Sequence, residues 1–210
     1  MFNNEKELVE KLVLDLQARY NTEYIVRELR GGNNIADVVY TTSLERENVV
    51  FDEYLNAYCY FNEIYNKKRI PLKEFKTDNQ QTNKKINHFL RDLEQNGYIK
   101  INNDYITVIK KVNAVSKNIV AIEAKLSDWK AGLNQAIRYK RYADEVYVAI
   151  SSEYVKNVDK SQFRELNIGL MSVSNDKLKI SVRAKRERVQ KLDVKYFMAD
   201  RFLKQLNLSK

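Results

Sequence analysis

Asp37, Glu123 and Lys125 are the residues of this chain whose types and spacing could do chemistry. Asp37 interrupts an apolar run, Ile35-Ala-Asp-Val-Val39, that reads as a strand, where Asp is disfavoured. Glu123 and Lys125 close a second apolar run, Ile119-Val-Ala-Ile-Glu-Ala-Lys125. Strand side chains alternate faces, so these two point to the same side. A carboxylate and an ammonium are costly to bury there without a purpose. Glu-x-Lys or Asp-x-Lys recurs at 74–76, 128–130 and 193–195, but only the 123–125 copy ends a β run. The plain alternative for that copy is a salt-bridged strand end.

Composition narrows the chemistry further. The 210 residues include one His and one Cys, whereas a structural zinc site needs about four such ligands and a disulfide needs a second Cys. A nucleophile–His system would depend on His88, which lies in a polar stretch. Carboxylates, lysines, tyrosines and amides remain, a set that suits a hard, oxygen-bound cation such as Mg²⁺.

The elements that must position these groups alternate between helix and strand. Leu8, Val9, Leu12, Val13 and Leu16 follow helical spacing and predict a helix over 3–20. Strands are expected at 24–29 and 35–41, on either side of a Gly31-Gly32-Asn33-Asn34 turn. Further on come a strand at 119–125, a helix at 129–143, a strand at 145–151, a strand pair at 171–174 and 177–182, and a closing helix at 193–207. Residues 51–111 differ: a long helix over 54–65, a short helical segment after Pro71, a helix over 80–95, and a hairpin turning at Asn102-Asn103-Asp104. This pattern predicts one discontinuous α/β domain, 1–50 and 112–210, interrupted by an insert at 51–111. Three helices and a hairpin resemble a winged helix-turn-helix domain.

An Asp in mid-strand after a Gly-Gly turn, and a later β run ending Glu-x-Lys, resemble the PD-(D/E)XK nuclease superfamily, with Ala36 where the name has Pro. The helix after the Glu-x-Lys strand carries Gln135 and Tyr139, four apart and so on one face, like the Gln-x-x-x-Tyr motif of the RecB-like branch. By helical spacing that face lies opposite Leu133, Ala136 and Ile137. On the first helix, Glu5 falls in line with Leu8, Val9, Leu12 and Leu16, where the RecB-like and Holliday-junction-resolving nucleases place a metal-site Glu; a solvated first turn is the alternative.

The resemblance implies a restriction-endonuclease-like mixed sheet flanked by helices, with Asp37, Glu123 and the Ala124 carbonyl holding Mg²⁺ or Mn²⁺ and Glu5 completing a second metal position. It implies that Lys125 orients the attacking water and offsets phosphate charge, that Gln135 and Tyr139 orient Lys125 or a phosphate, and that the reaction is DNA phosphodiester cleavage.

In the insert, Ile86, Phe89, Leu90 and Leu93 form an apolar stripe on the 80–95 helix. The opposite stripe carries Gln81, Lys84, His88 and Arg91, residue types that read bases and contact phosphates, as a recognition helix would. Lys100 lies on the adjoining hairpin. The chain carries 37 Lys+Arg against 28 Asp+Glu, a formal charge of +9, and residues 177–210 alone carry +8. Arg183, Lys185 and Arg186 belong to that basic segment, which would attract a phosphate backbone or simply remain solvated.

No apolar run reaches the length of a membrane span and no signal peptide opens the chain, so a cytoplasmic protein without a membrane partner is expected. DNA is the expected partner. Double-strand cleavage wants two active sites, which leaves a homodimer open. The competing readings are a non-catalytic DNA-binding regulator and a protein-interaction module, each retaining the nuclease fold.

Overall fold

The structure, a computed structural model, describes residues 2–31, 34–47, 50–51, 57, 59–61, 66–189 and 192–208. The chain forms two compact units, Met1–Glu45 with Val115–Lys210, and Arg46–Ala114.

The first unit is of the α/β class, a mixed six-stranded sheet flanked by helices. Its strands are β1 (Ile25–Gly31), β2 (Asn34–Tyr40), β6 (Val120–Lys125), β7 (Glu145–Ser151), β8 (Gly169–Val173) and β9 (Leu178–Val182), in the order β1-β2-β6-β7-β8-β9. The pairs β6/β7 and β7/β8 are parallel, and the remaining pairs are antiparallel. The three central strands read as almost unbroken apolar runs because both of their faces are covered.

Helix α1 (Glu5–Tyr20) starts where the Asn4 side chain accepts from the Glu7 N–H and stops at Asn21, which adopts a left-handed conformation. Its buried Leu8, Leu12, Val13 and Leu16 pack on Val38, Ile122, Ala124, Ala149 and Met171. Burying one such aliphatic side chain is worth roughly 1.5–3 kcal/mol, so this contact anchors α1 on one face of the sheet.

By the alternation of the strands, Asp37, Glu123 and Lys125 face away from α1. That opposite face carries α3 (Trp129–Tyr139), which approaches closely at Gly132. A Cβ there would lie 2.9 Å from a Val148 methyl and 3.2 Å from Lys125 Cγ. The glycine therefore seats the helix directly over the Lys125 stem.

Helix α5 (Leu192–Leu208) covers the edge strand, with Arg201 donating to the Arg30 carbonyl at 3.1 Å and Gln205 to the Arg27 carbonyl at 2.6 Å. Those carbonyls would otherwise form an open edge. Edge strand β1 also kinks. Glu28 has φ 52°, a conformation costing a non-Gly residue about 1–2 kcal/mol. Glu28 falls opposite Asp37, between the Arg27–Val38 and Leu29–Ala36 pairs, and the register runs on unshifted, so that Val26 and Leu29 are buried on opposite faces of the strand.

The second unit has a three-stranded antiparallel sheet in the order β3-β5-β4, formed by β3 (Arg69–Pro71), β4 (Ile99–Asn102) and β5 (Tyr105–Val108). Helix α2 (Gln80–Gln95) buries Phe89, Leu90 and Leu93, and Phe51 meets Phe89 edge-on at 5.4 Å between centroids. The hairpin turns at Asn103, which has φ 43°.

Several expectations are corrected. Pro71 ends an unanticipated short edge strand, where its missing N–H costs nothing, before a 3₁₀ turn at Leu72–Phe75. The helix expected over 129–143 stops at Tyr139. A short helix, α4 (Lys160–Glu165), buries only Phe163 and so shows no periodicity to read. The unit boundaries fall at 45/46 and 114/115 rather than 50/51 and 111/112. Most of the expected 54–65 helix, and Gly32 and Asn33 of the first turn, lie outside the described residues.

Candidate active site

Three separate elements bring carboxylates to one ammonium. Asp37 lies just beyond the last β2–β6 residue pair, Val38 with Ile122. Freed from that ladder, the Ala124 N–H donates to Asp37 Oδ2 at 2.7 Å and fixes the carboxylate beside the end of β6.

Glu123 is 1% exposed. Lys125 Nζ lies 2.8 Å from its Oε1, and the Tyr139 hydroxyl bonds its Oε2. The same hydroxyl lies 2.5 Å from the Ile35 carbonyl. With one proton shared between these two acceptors, the Tyr139 hydroxyl links α3 to β2 and β6 at the carboxylate. Glu5, at the start of α1, comes within 3.7 Å of Lys125 Nζ.

The electrostatics follow from this packing. Burial raises the Asp37 carboxyl; the Ala124 N–H opposes this, Glu123 adds to it, and the outcome is about 6. Burial works against the Lys125 ammonium, but Glu123, Glu5 and Asp37 outweigh it and hold the group above its ordinary value. Lys125 is therefore a fixed cation at neutral pH and not a base. Burial, then Glu123, raises the Tyr139 hydroxyl well above its usual range, so it remains protonated.

Glu5, Asp37 and Glu123 carry three formal negative charges against the single positive charge of Lys125. The donors are all oxygen, which fits a hard divalent cation. Among the described residues, no group of three or more His, Cys, Asp or Glu side chains is gathered closely enough to hold a metal by itself. Such an ion would be held mainly by Asp37 and Glu123 and would have to compete with Lys125 for Glu123 Oε1.

Some expected roles change. Tyr139 holds Glu123, where the motif implied a contact with Lys125 or a phosphate. It belongs to the buried face of α3 with Gly132, Leu133 and Ala136, whereas Ile137 is 39% exposed. Gln135 is half-buried, and the Lys125 ammonium pairs with Glu123 and Glu5, not with it. The Ala124 N–H joins the cluster as well, in addition to the carbonyl role the resemblance implied. Glu5 is half exposed at the helix start instead of facing fully inward.

Outside the cluster, Gln81, Lys84, His88 and Arg91 form an exposed stripe on α2, and Lys100 is exposed on β4. Arg183, Lys185 and Arg186 are exposed after β9. Sequence reasoning did not find the Ala124 N–H, a backbone group that no residue type advertises, or Gly132, whose signal is a lone glycine inside a helical pattern.

Removing the Tyr139 hydroxyl tests the tie. Tyr139→Phe leaves a buried Glu123 oxygen without its donor, an expected loss of about 1–3 kcal/mol. A chemical melt would show a lowered denaturant midpoint with an unchanged slope; an unchanged midpoint would mean the hydroxyl carries no weight.

No protein-family model matches this chain, and no curated protein matches it. Among solved structures, a protein of unknown function from Silicibacter pomeroyi aligns over 94% of this chain and 82% of its own, at 11% identity and a TM-score of 0.45. A likeness that weak carries no argument about function. Among the described residues, no helix is long and apolar enough to cross a membrane.

Proposed function

We propose that this protein is a metal-dependent DNA endonuclease with the PD-(D/E)XK arrangement, carrying a winged-helix insert that contacts DNA. The observation that supports it best is the meeting of Asp37, Glu123, Lys125 and Glu5 from three elements at the end of β6. A bound Mg²⁺ or Mn²⁺ would polarise a phosphodiester oxygen and lower the pKa of a water.

The chain's own groups do the rest. Asp37 and Glu123 supply the anionic oxygens, with Asp37 held by the Ala124 N–H and Glu123 by Tyr139. Lys125, fixed as a cation, offsets the charge that grows on the phosphoryl oxygens as water attacks phosphorus and the ester P–O bond breaks. Gly132 keeps α3 close enough to hold the Lys125 stem in place.

In the insert, the exposed α2 stripe would face the major groove and Lys100 the backbone beside it. The double variant Lys84→Ala, Arg91→Ala should weaken DNA binding severalfold and make the log-affinity against log-salt plot shallower by about 2. Unchanged affinity at low and high salt, read by fluorescence anisotropy, would point to a protein partner for this face.

One observation favours the second reading, a non-catalytic DNA-binding regulator: both Glu123 oxygens are already engaged, by Tyr139 and Lys125. Supercoiled plasmid separates the two. A nuclease nicks or linearises it with Mg²⁺ and not with EDTA, whereas a regulator retards it uncut under both conditions.

A further inference from the structure

Beyond β9 the chain runs without regular secondary structure through residues 183–189, yet it is firmly held. The Asn167 side chain clamps the Lys185 backbone from both sides, accepting from its N–H at 2.7 Å and donating to its carbonyl at 2.8 Å. Asn167 itself is fixed in a left-handed conformation, φ 48°. Two residues on, the Glu187 N–H donates to the Asp144 carbonyl at 3.0 Å.

Under this strap lie two adjoining hollows of about 360 and 400 Å³. They share Asp144, Glu187, Arg188 and Val189, and the two together make up the groove of the strap.

The groove's charge is one-sided. Lys140, Lys185, Arg186, Arg188 and Lys195 line it against Asp144 and Glu187. Both acids are already neutralised, Asp144 by Lys195 at 2.6 Å and Glu187 by Lys140 at 3.0 Å. Arg186 donates to the Lys117 carbonyl, which spends a donor but leaves its charge. Among the described residues, Lys185 and Arg188 are exposed and make no ion pair. Three positive charges thus remain uncompensated on a backbone that needs no ordering, and a preorganised site loses little entropy on binding.

The groove lies within one duplex turn of the candidate active site. Tyr139 holds Glu123, and the next residue, Lys140, lines the groove. Asp144 precedes by four residues Val148, the β7 partner of Glu123, roughly 13 Å of strand. That is less than half of one duplex turn of about 34 Å. A compact polyphosphate would fill one hollow, whereas an extended phosphodiester chain can lie across both.

We infer that this groove is a second nucleic-acid contact, binding backbone phosphates a few nucleotides along the same DNA from the phosphate at the Asp37–Glu123–Lys125 cluster. The inference rests on the nuclease reading. Binding of this kind is independent of sequence, because contacts to backbone phosphates carry no sequence information.

The test uses the whole chain with Lys185→Gln and Arg188→Gln combined, on two labelled duplexes of unrelated sequence, without Mg²⁺. The variant should bind both about tenfold more weakly, with a salt slope shallower by about 2. Its melting temperature should match wild type. Lys185→Arg with Arg188→Lys should restore affinity, which excludes a folding defect as the cause.

If the Gln variant binds with wild-type affinity and slope while wild type cuts DNA, the groove is off the DNA path and only this inference fails. If wild type neither binds nor cuts DNA, the nuclease reading fails with it. Loss of inorganic tripolyphosphate binding in the variant, with DNA affinity intact, would make the groove a small-polyanion site and overturn the backbone assignment.

Discussion

Lys125→Ala is expected to slow Mg²⁺-dependent DNA cleavage by about 10²–10³-fold while DNA affinity, measured without Mg²⁺, stays near wild type. The Lys125 ammonium serves Glu123 at 2.8 Å and Glu5 at 3.7 Å. Removing it leaves Glu123 buried with a lost counter-charge, so the variant should also lose about 2–3 kcal/mol of stability, somewhat less than a fully buried pair would lose, because Lys125 is 17% exposed. Lys125→Gln separates the two effects. Its amide can still donate to Glu123, so it should fold closer to wild type and be equally slow. Cleavage at wild-type rate by either variant would remove Lys125 from the chemistry.

The second large effect is at Asp37. Its folded pKa is about 6, above the roughly 3.9 of an unfolded Asp, so the folded state binds the proton more tightly. The stability contributed by protonated Asp37 is therefore fully present below about pH 4 and is lost as pH rises through about 6. Asp37→Asn cannot ionise and escapes that loss. Discounted for the solvent that reaches this half-buried group, it should be about 1–2 kcal/mol more stable than wild type above pH 6, with no such gain below pH 4. It should also be inactive. A melting-temperature difference that stays flat from pH 4 to 8 would mean that Asp37 is not held against its ionised form.

Sequence pattern and structure agree where burial dictates residue type. Strand β6 was legible because a central strand covered on both faces must be apolar, which makes Glu123 and Lys125 conspicuous. Helix α1 was legible from Leu8, Leu12, Val13 and Leu16. The α3 face was misread because helical spacing places Tyr139 away from Ile137 and cannot say which of the two is buried. Gly132 decides it, by admitting the helix on the side that buries Tyr139 and turning Ile137 outward. The Ala124 N–H, which fixes Asp37, belongs to the backbone and leaves no trace in residue type. The groove was half legible: Lys185 and Arg186 stood out by charge, but Lys140 and Lys195 reach it from distant parts of the chain and only the fold joins them.

The central claim is that Asp37 and Glu123 form one cation site for which Lys125 competes. Titrating Mn²⁺ into the whole chain by calorimetry tests it most directly. One Mn²⁺ per chain is expected for wild type, with loss of binding in Asp37→Asn, and binding at least as tight as wild type in Lys125→Gln, where the competing ammonium is gone. Wild type that takes up no Mn²⁺, or Asp37→Asn that binds it as wild type does, would contradict the account.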